Sequence, residues 1–455
     1  MICLLPKTKA HWAKLFCVGL FLAWCSLCFS ATMPAAAEQF PLYPCINTNV
    51  KFWEDIYSRY STRQGLLHDS DNLNLVYTVI DLVDADIPDA RKVNNERIEA
   101  AKNRINNILS ALGSGKTPST KEEKQIADLF SQQRHTTYLE ARENIRLQIG
   151  QKDRFYEGII RSGKYLTQFK HLFAAEGLPA ELAYLPHVES SFNPKAFSKV
   201  GAAGLWQFTR STGKDFLTIN ERVDERYDPY LATQAAAKLL KENYAQLQSW
   251  PLALTAYNYG RAGMIRAKNE KGSYENIFKS YSQGYFKFAS RNFYSEFLAA
   301  MRVAARLGGD SSVPFDRPEA TVTFRLKEEI PAARLGSSFH ISPQNFACLN
   351  PALMQPVLDG KKPVPKGYLV RLPASKQANL TAETGTLRQS APVQRNAKAS
   401  DAITRYSVRK GDTIHSIARQ FQLSPQELLA ANSRNRETAI RTGEKLIIPI
   451  RISKK

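Results

Sequence analysis

The stretch Leu185–Phe208, LPHVESSFNPKAFSKVGAAGLWQF, contains a single acid, Glu189, and no Asp or Glu follows it until Asp215. Cleaving a glycosidic bond requires an acid to protonate the departing oxygen and a way to stabilise positive charge on the sugar ring. Such an acid works near neutral pH only if its pKa is raised, and burial among apolar groups does this by disfavouring the carboxylate. Leu185, Val188 and Phe192 flank Glu189, and Leu205 and Trp206 follow Gly201 and Gly204. Glycines allow backbone to approach a ligand closely, and an aromatic face suits a sugar ring. The ordinary alternative is a helix-end glutamate facing water, as most glutamates do. A paired-carboxylate glycosidase would want a second acid; Asp215 and Asp224 are the ones that could fold back.

Helical signals surround this stretch. LPAEL puts Pro179 at a helix start with Glu181 in the first turn, and Asp228 with Pro229 reads as an N-cap followed by a first-position proline. Ser249 or Trp250 before Pro251 repeats the device, and Gly260 reads as a stop. Residues 141–310 are therefore expected to form a compact α domain with a cleft. Residues 38–140 read as a helical region, and the segment 38–150 as mainly helical: Ile98, Ala101, Ile105, Ile108 and Leu112 recur at steps of three and four, with Gly113 as a stop.

After residue 320 the pattern changes. ATVTFRL and GYLVRLP read as strands around a helical middle, residues 375–403 as a polar linker, and residues 404–450 as a βααβ unit in which Asp412 or Thr413 caps a helix. FHISPQNFACLN (339–350) aligns with FQLSPQELLAAN (421–432), and Gly367 and Pro373 match Gly443 and Pro449. This is an internal duplication, whose first copy, 320–374, is degenerate because it lacks the GDT turn.

The N-terminus carries Lys7, Lys9 and Lys14, an apolar run from Leu15 to Phe29, and small residues ending at Ala37. It reads as an export signal over 1–37, with a retained anchor as the rival. The net charge of +20, about +17 without the signal, favours an anionic partner. For an exported chain, a wall polymer or membrane surface fits better than nucleic acid. Of six cysteines, only Cys45 and Cys348 lie beyond the signal; they either pair or stay as free thiols. The seven histidines show no ligand spacing and there is no phosphate-binding glycine loop, so neither metal nor cofactor is expected. His187 reads as structural.

VESSFNPKAFSKVGAAGLWQF, followed by LTAYNYG, resembles the signature of the family 23 lytic transglycosylases: a Glu-Ser pair, a G-x-x-G-L-x-Q block and an A-Y-N motif, in that order. The flanks KYLTQFKHLFAAEGLPAELAYLP and RYDPYLATQAAAKLL resemble the membrane-bound lytic murein transglycosylase D subgroup, over about 140–310. The C-terminal βααβ unit resembles a LysM domain, a module that binds N-acetylglucosamine-containing glycans.

The resemblance implies a mainly α fold: a lysozyme-like helical catalytic domain behind an N-terminal helical region, with small βααβ LysM modules at the C-terminus. It implies a periplasmic or envelope enzyme, possible membrane association, and peptidoglycan glycan strands as partner. It also accounts for the missing acid. In that family one glutamate protonates the bond between N-acetylmuramic acid and N-acetylglucosamine, and the substrate's 2-acetamido group is thought to stabilise the cation. The same glutamate then takes the proton of the muramoyl 6-hydroxyl as it attacks C1. Carried over, Glu189 is the acid and base. Ser190 supports it or the local turn, Ser198 contacts substrate, Gln207 bonds the sugar or its acetamido group, Tyr257 lies near the acetamido group and the acid, and Asn258 shapes the site. Thr209 and Arg210 depart from the Met-Pro or Ile-Pro of many relatives and put subsite preference in doubt. A hydrolytic muramidase and a non-catalytic wall-binding scaffold are the alternatives.

Overall fold

The computed structural model describes residues 39–131, 137–376, 403–408, 412–421, 423–432 and 440–449. The expected export signal and all but the ends of the expected linker lie outside the described residues. The chain divides into a unit ending at Pro41 and a unit from Leu42 onward, and the helices and strands from Pro44 to Pro449 all belong to the second.

Helix α1 (Asn47–Ser58) buries Val50, Trp53, Ile56 and Tyr57. Beyond it lies an antiparallel sheet in the order β2-β1-β3, formed by β1 (Gln64–Asp69), β2 (Val76–Asp81) and β3 (Ile145–Ile149). The mainly helical reading of 38–150 missed this sheet. Its central strand is buried at every residue from Gly65 to Asp69, so no alternation of polar and apolar residues marks it. Helix α2 (Ala90–Gly113) does follow the periodicity, burying Ala101, Ile105, Ile108 and Leu112.

The next block is helical: α3 (Lys152–Ser162), α4 (Leu166–Ala175), α5 (Leu185–Ser190), α6 (Pro229–Leu247), α7 (Trp250–Tyr259) and α8 (Phe288–Gly308). Pro179 opens a tight 3-10 turn, Ala180–Tyr184, in place of an α-helix. Asp228 caps α6 by accepting the N–H groups of Tyr230 and Leu231, both at 2.9 Å. Ser249 is the N-cap of α7, and Gly260 ends it at φ 93°. Trp206 is fully buried; its ring lies 5.7 Å from that of Phe173, and its indole N–H donates to Thr233 Oγ1 at 2.8 Å. Helix α8 packs against α1, α5 and α7.

Two strand–helix–helix–strand units come after this block. In the first, β4 (Thr321–Arg325) pairs antiparallel with β5 (Leu369–Pro373) around helices Ala332–Ser338 and Pro343–Leu349. In the second, β6 (Ile403–Ser407) pairs with β7 (Lys445–Pro449) around Ile414–Gln420 and Pro425–Ala431. Their internal bonding matches. Ser342 and Ser424 both cap a helix that starts with proline. Asn350 accepts the Arg371 N–H at 2.8 Å and donates to the Arg371 and Phe346 carbonyls at 3.0 Å. Asn432 accepts the Ile447 N–H at 2.7 Å and donates to the Ile447 and Leu428 carbonyls. In the second unit Thr413 accepts the Ser416 N–H at 3.0 Å, whereas Asp412 accepts the Tyr406 hydroxyl.

The first unit is joined to the helical block. The Asp224 N–H donates to the Ala352 carbonyl at 2.8 Å, the Met354 N–H donates to the Arg222 carbonyl at 3.0 Å, and the Arg371 guanidinium lies 4.4 Å over the Tyr230 ring. Replacing buried Asn350 by alanine strands the Arg371 N–H. We expect Asn350→Ala to cost about 1–3 kcal/mol in a urea unfolding experiment. Cys45 and Cys348 are both free.

Candidate active site

Glu189 is the penultimate residue of α5, a helix of only six residues. The helix stops there because Ser191 turns to the left-handed φ of 49°, followed by Phe192 at 52°. The Arg161 guanidinium of α3 donates to the Ser191 carbonyl at 2.9 Å and holds that turn. Gly158, also on α3, meets the same carbonyl so closely that a Cβ would lie 2.7 Å from it.

The loop 196–208 closes over this helix end. The Ser190 hydroxyl donates to the Leu205 carbonyl at 2.8 Å. The Ser198 hydroxyl accepts the Ala202 N–H at 2.9 Å. Gln207 adopts φ 48° and donates its side-chain amide to the Gly204 carbonyl at 2.9 Å. At Gly204, φ 75°, a Cβ would sit 1.9 Å from the Arg226 carbonyl, so no other residue fits. Arg226 is the anchor of the loop: it donates to the carbonyls of Gly201 and Phe208, and it forms a buried two-bond pair with Asp224 at 2.9 and 2.7 Å.

From α7, Tyr257 donates its hydroxyl to the Trp206 carbonyl at 2.7 Å, and burial first, then the nearby Glu189 carboxyl, hold the phenol well above its usual pKa. Asn258 accepts the Ser290 hydroxyl at 2.7 Å and is exposed. The Gln207 amide and the Tyr257 hydroxyl are thus both bonded to the loop 196–208, at Gly204 and Trp206. Ser190 and Ser198 hold the loop, and Asn258 ties α7 to α8. Tyr57 of α1 adds a buried phenol that Glu189 and Glu296 both influence.

Burial pushes Glu189 up to about 8, and the nearby charge of Glu296 adds to this. Its surface is only half-buried, but enough protein surrounds it that the carboxylate is poorly solvated. The group is protonated at neutral pH, as a general acid must be. His187 is fully buried against Phe155 and Phe192, and burial lowers it to about 3, so it is neutral.

The acid that folds back is neither Asp215, which is exposed, nor Asp224, which is bound to Arg226. It is Glu296 of α8. Its distance in sequence hid it; the apolar periodicity of Phe293, Phe297 and Ala300 marks the helix but not the acid's direction.

Residues 170–278 match the transglycosylase SLT domain, and residues 406–449 match the LysM domain. The chain therefore carries a transglycosylase SLT domain and a C-terminal LysM domain. It is homologous to membrane-bound lytic murein transglycosylase D of Escherichia coli, with 25% identity over 320 residues that cover 68% of each chain. Membrane-bound lytic murein transglycosylase F of Yersinia pestis is 32% identical over 118 residues, 24% of each chain. Among solved structures, lytic transglycosylase Slt of Pseudomonas aeruginosa has a TM-score of 0.28 at 15% identity, covering 42% of this chain and 29% of that one.

Proposed function

We propose that the protein cleaves the bond between N-acetylmuramic acid and N-acetylglucosamine in peptidoglycan without water, leaving 1,6-anhydromuramoyl ends. The observation that carries this is Glu189, a carboxyl that burial keeps protonated at neutral pH, at the end of a helix whose Ser190 bonds the same loop that holds Gln207 and accepts the Tyr257 hydroxyl. Glu189 gives its proton to the leaving oxygen. The carboxylate so formed takes the proton of the 6-hydroxyl as the C1–O6 bond closes. Gln207 and Tyr257 face the acetamido group, Ser190 and Ser198 keep the loop in register, and Asn258 shapes the rim. No step requires a metal or cofactor.

In this reading residues 38–140 are an N-terminal region, 141–310 the catalytic domain, and 404–450 a glycan-binding LysM module beyond a linker at 375–403. The unit at 320–374 is a degenerate copy. Its backbone bonds to Arg222 and Asp224 make it a fixed extension of the catalytic domain, while the C-terminal module tethers the enzyme and raises local substrate concentration. The protein works in the periplasm or cell envelope after export over residues 1–37. Among the described residues, no helix is long and apolar enough to cross a membrane.

Digestion of purified peptidoglycan tests this reading. Products one water lighter than reducing-end muropeptides, by mass spectrometry, are expected; reducing-end products overturn it. Because the acid must be protonated, kcat/KM is expected to hold through neutral pH and fall as pH rises through about 8. One observation favours a second reading: Glu296 near Glu189 supplies the second carboxylate that a water-activating muramidase needs.

A further inference from the structure

The two strand–helix–helix–strand units close their cores differently. Among the described residues, the core of the second is built from its own side chains: Ile417, Leu428, Leu446 and Ile448 pack together, with Tyr406 and Phe421 against them. The core of the first also takes in Val223, which is 2% exposed and belongs to the segment between the loop 196–208 and α6. The first unit is therefore completed by a residue from the helical block, and the second is not.

Backbone bonds and ion pairs reinforce this joint. Val223 bridges Leu353 antiparallel, with the Asp224 N–H on the Ala352 carbonyl at 2.8 Å and the Met354 N–H on the Arg222 carbonyl at 3.0 Å. Arg222 pairs with Glu329 at 2.6 Å, and Glu221 pairs with Lys362. Two short chains of bonds lead from the joint to the loop 196–208. In the first, the pinned Asp224 holds Arg226 by two bonds, and Arg226 donates to the Gly201 and Phe208 carbonyls at 2.8 and 3.1 Å. In the second, the Arg371 guanidinium lies 3.5 Å from the Asp228 carboxylate and over the Tyr230 ring at the start of α6. One turn on, Thr233 accepts the indole N–H of Trp206. The loop needs such support, because Gln207 is held at φ 48°, a conformation that persists only where the surroundings impose it.

We infer that the first unit is a brace for the loop 196–208 and not a second glycan-binding module: it fixes residues 222–226, and through Arg226 it holds the backbone that carries Ser198 and Gln207. Its effect on turnover, which rests on the reaction proposed above, is to keep Gln207 in its left-handed conformation while substrate binds and leaves. Tethering to the wall is left to the second unit. Val223, Arg222 and Glu329 are positioning residues in this account, since each acts through Asp224 and Arg226.

The test is amide hydrogen exchange of the full chain, read on peptides spanning 196–208, with turnover and co-sedimentation measured on purified peptidoglycan. Val223→Asp puts a charge into the shared core. It is expected to speed exchange in the loop by about tenfold or more and to lower turnover by a similar factor, with co-sedimentation unchanged. Should that variant not fold, the exposed ion pair decides. Arg222→Glu and Glu329→Arg each set like charges across the joint and are expected to speed loop exchange by about two- to fivefold. The double variant, with the pair reversed, is expected to restore the wild-type rate, which a general loss of stability would not do. Wild-type loop exchange in both single variants, with the Asp224 and Met354 amides freed, overturns the inference. So does a fall in co-sedimentation while loop exchange stays in place, because the first unit would then hold glycan. If wild type releases no muropeptides, the reaction reading fails, and loop exchange still decides the brace.

Discussion

Glu189→Gln is expected to lower muropeptide release by about a thousandfold or more, because one group serves as both acid and base. That corresponds to about 4 kcal/mol of barrier. The variant should remain folded. Glutamine keeps the shape of the side chain, and the carboxyl it replaces has no hydrogen-bond or ion-pair partner among the described residues. Retention on peptidoglycan through the LysM domain, measured by co-sedimentation, should be unchanged. Loss of activity with binding intact separates chemistry from tethering, and it also separates an enzyme from a scaffold. A variant that kept a tenth of the activity would move the proton transfer to another residue.

The second large effect lies behind the site. Asp224→Ala leaves the Arg226 guanidinium, itself only 4% exposed, without its carboxylate. Removing one partner of a buried pair costs about 3–5 kcal/mol, since the remaining charge stays desolvated. Arg226 also donates to the Gly201 and Phe208 carbonyls, at either end of the segment that carries Gln207. Stability in urea and kcat/KM should therefore fall together in this variant, whereas Glu189→Gln separates them. Asp224→Ala with wild-type stability would show that the loop is held by packing around Trp206.

Much of this was legible in the chain. Punctuation by Asp228-Pro229 and by Gly260 set helix ends, because a cap and a missing N–H act locally. The two βααβ units could be aligned from Ser-Pro and Asn, and those residues make the same bonds in both. The sheet of β1, β2 and β3 was not legible, because a strand buried throughout shows no period of two and its partner β3 lies far along the chain. The same distance hid Glu296. The absence of a second acid near Glu189 in sequence was real, but it does not hold in space. Sequence places Glu189 in an apolar run; only the packing of α8 against α5 shows a second carboxyl influencing it.

The central claim is that water takes no part in cleavage. Digestion of purified peptidoglycan in isotope-labelled water, with the muropeptides weighed by mass spectrometry, tests it directly. Anhydro ends that carry no label are predicted in the wild-type digest, and no products from Glu189→Gln. Labelled reducing ends would contradict the claim and place the water-activating role on Glu296.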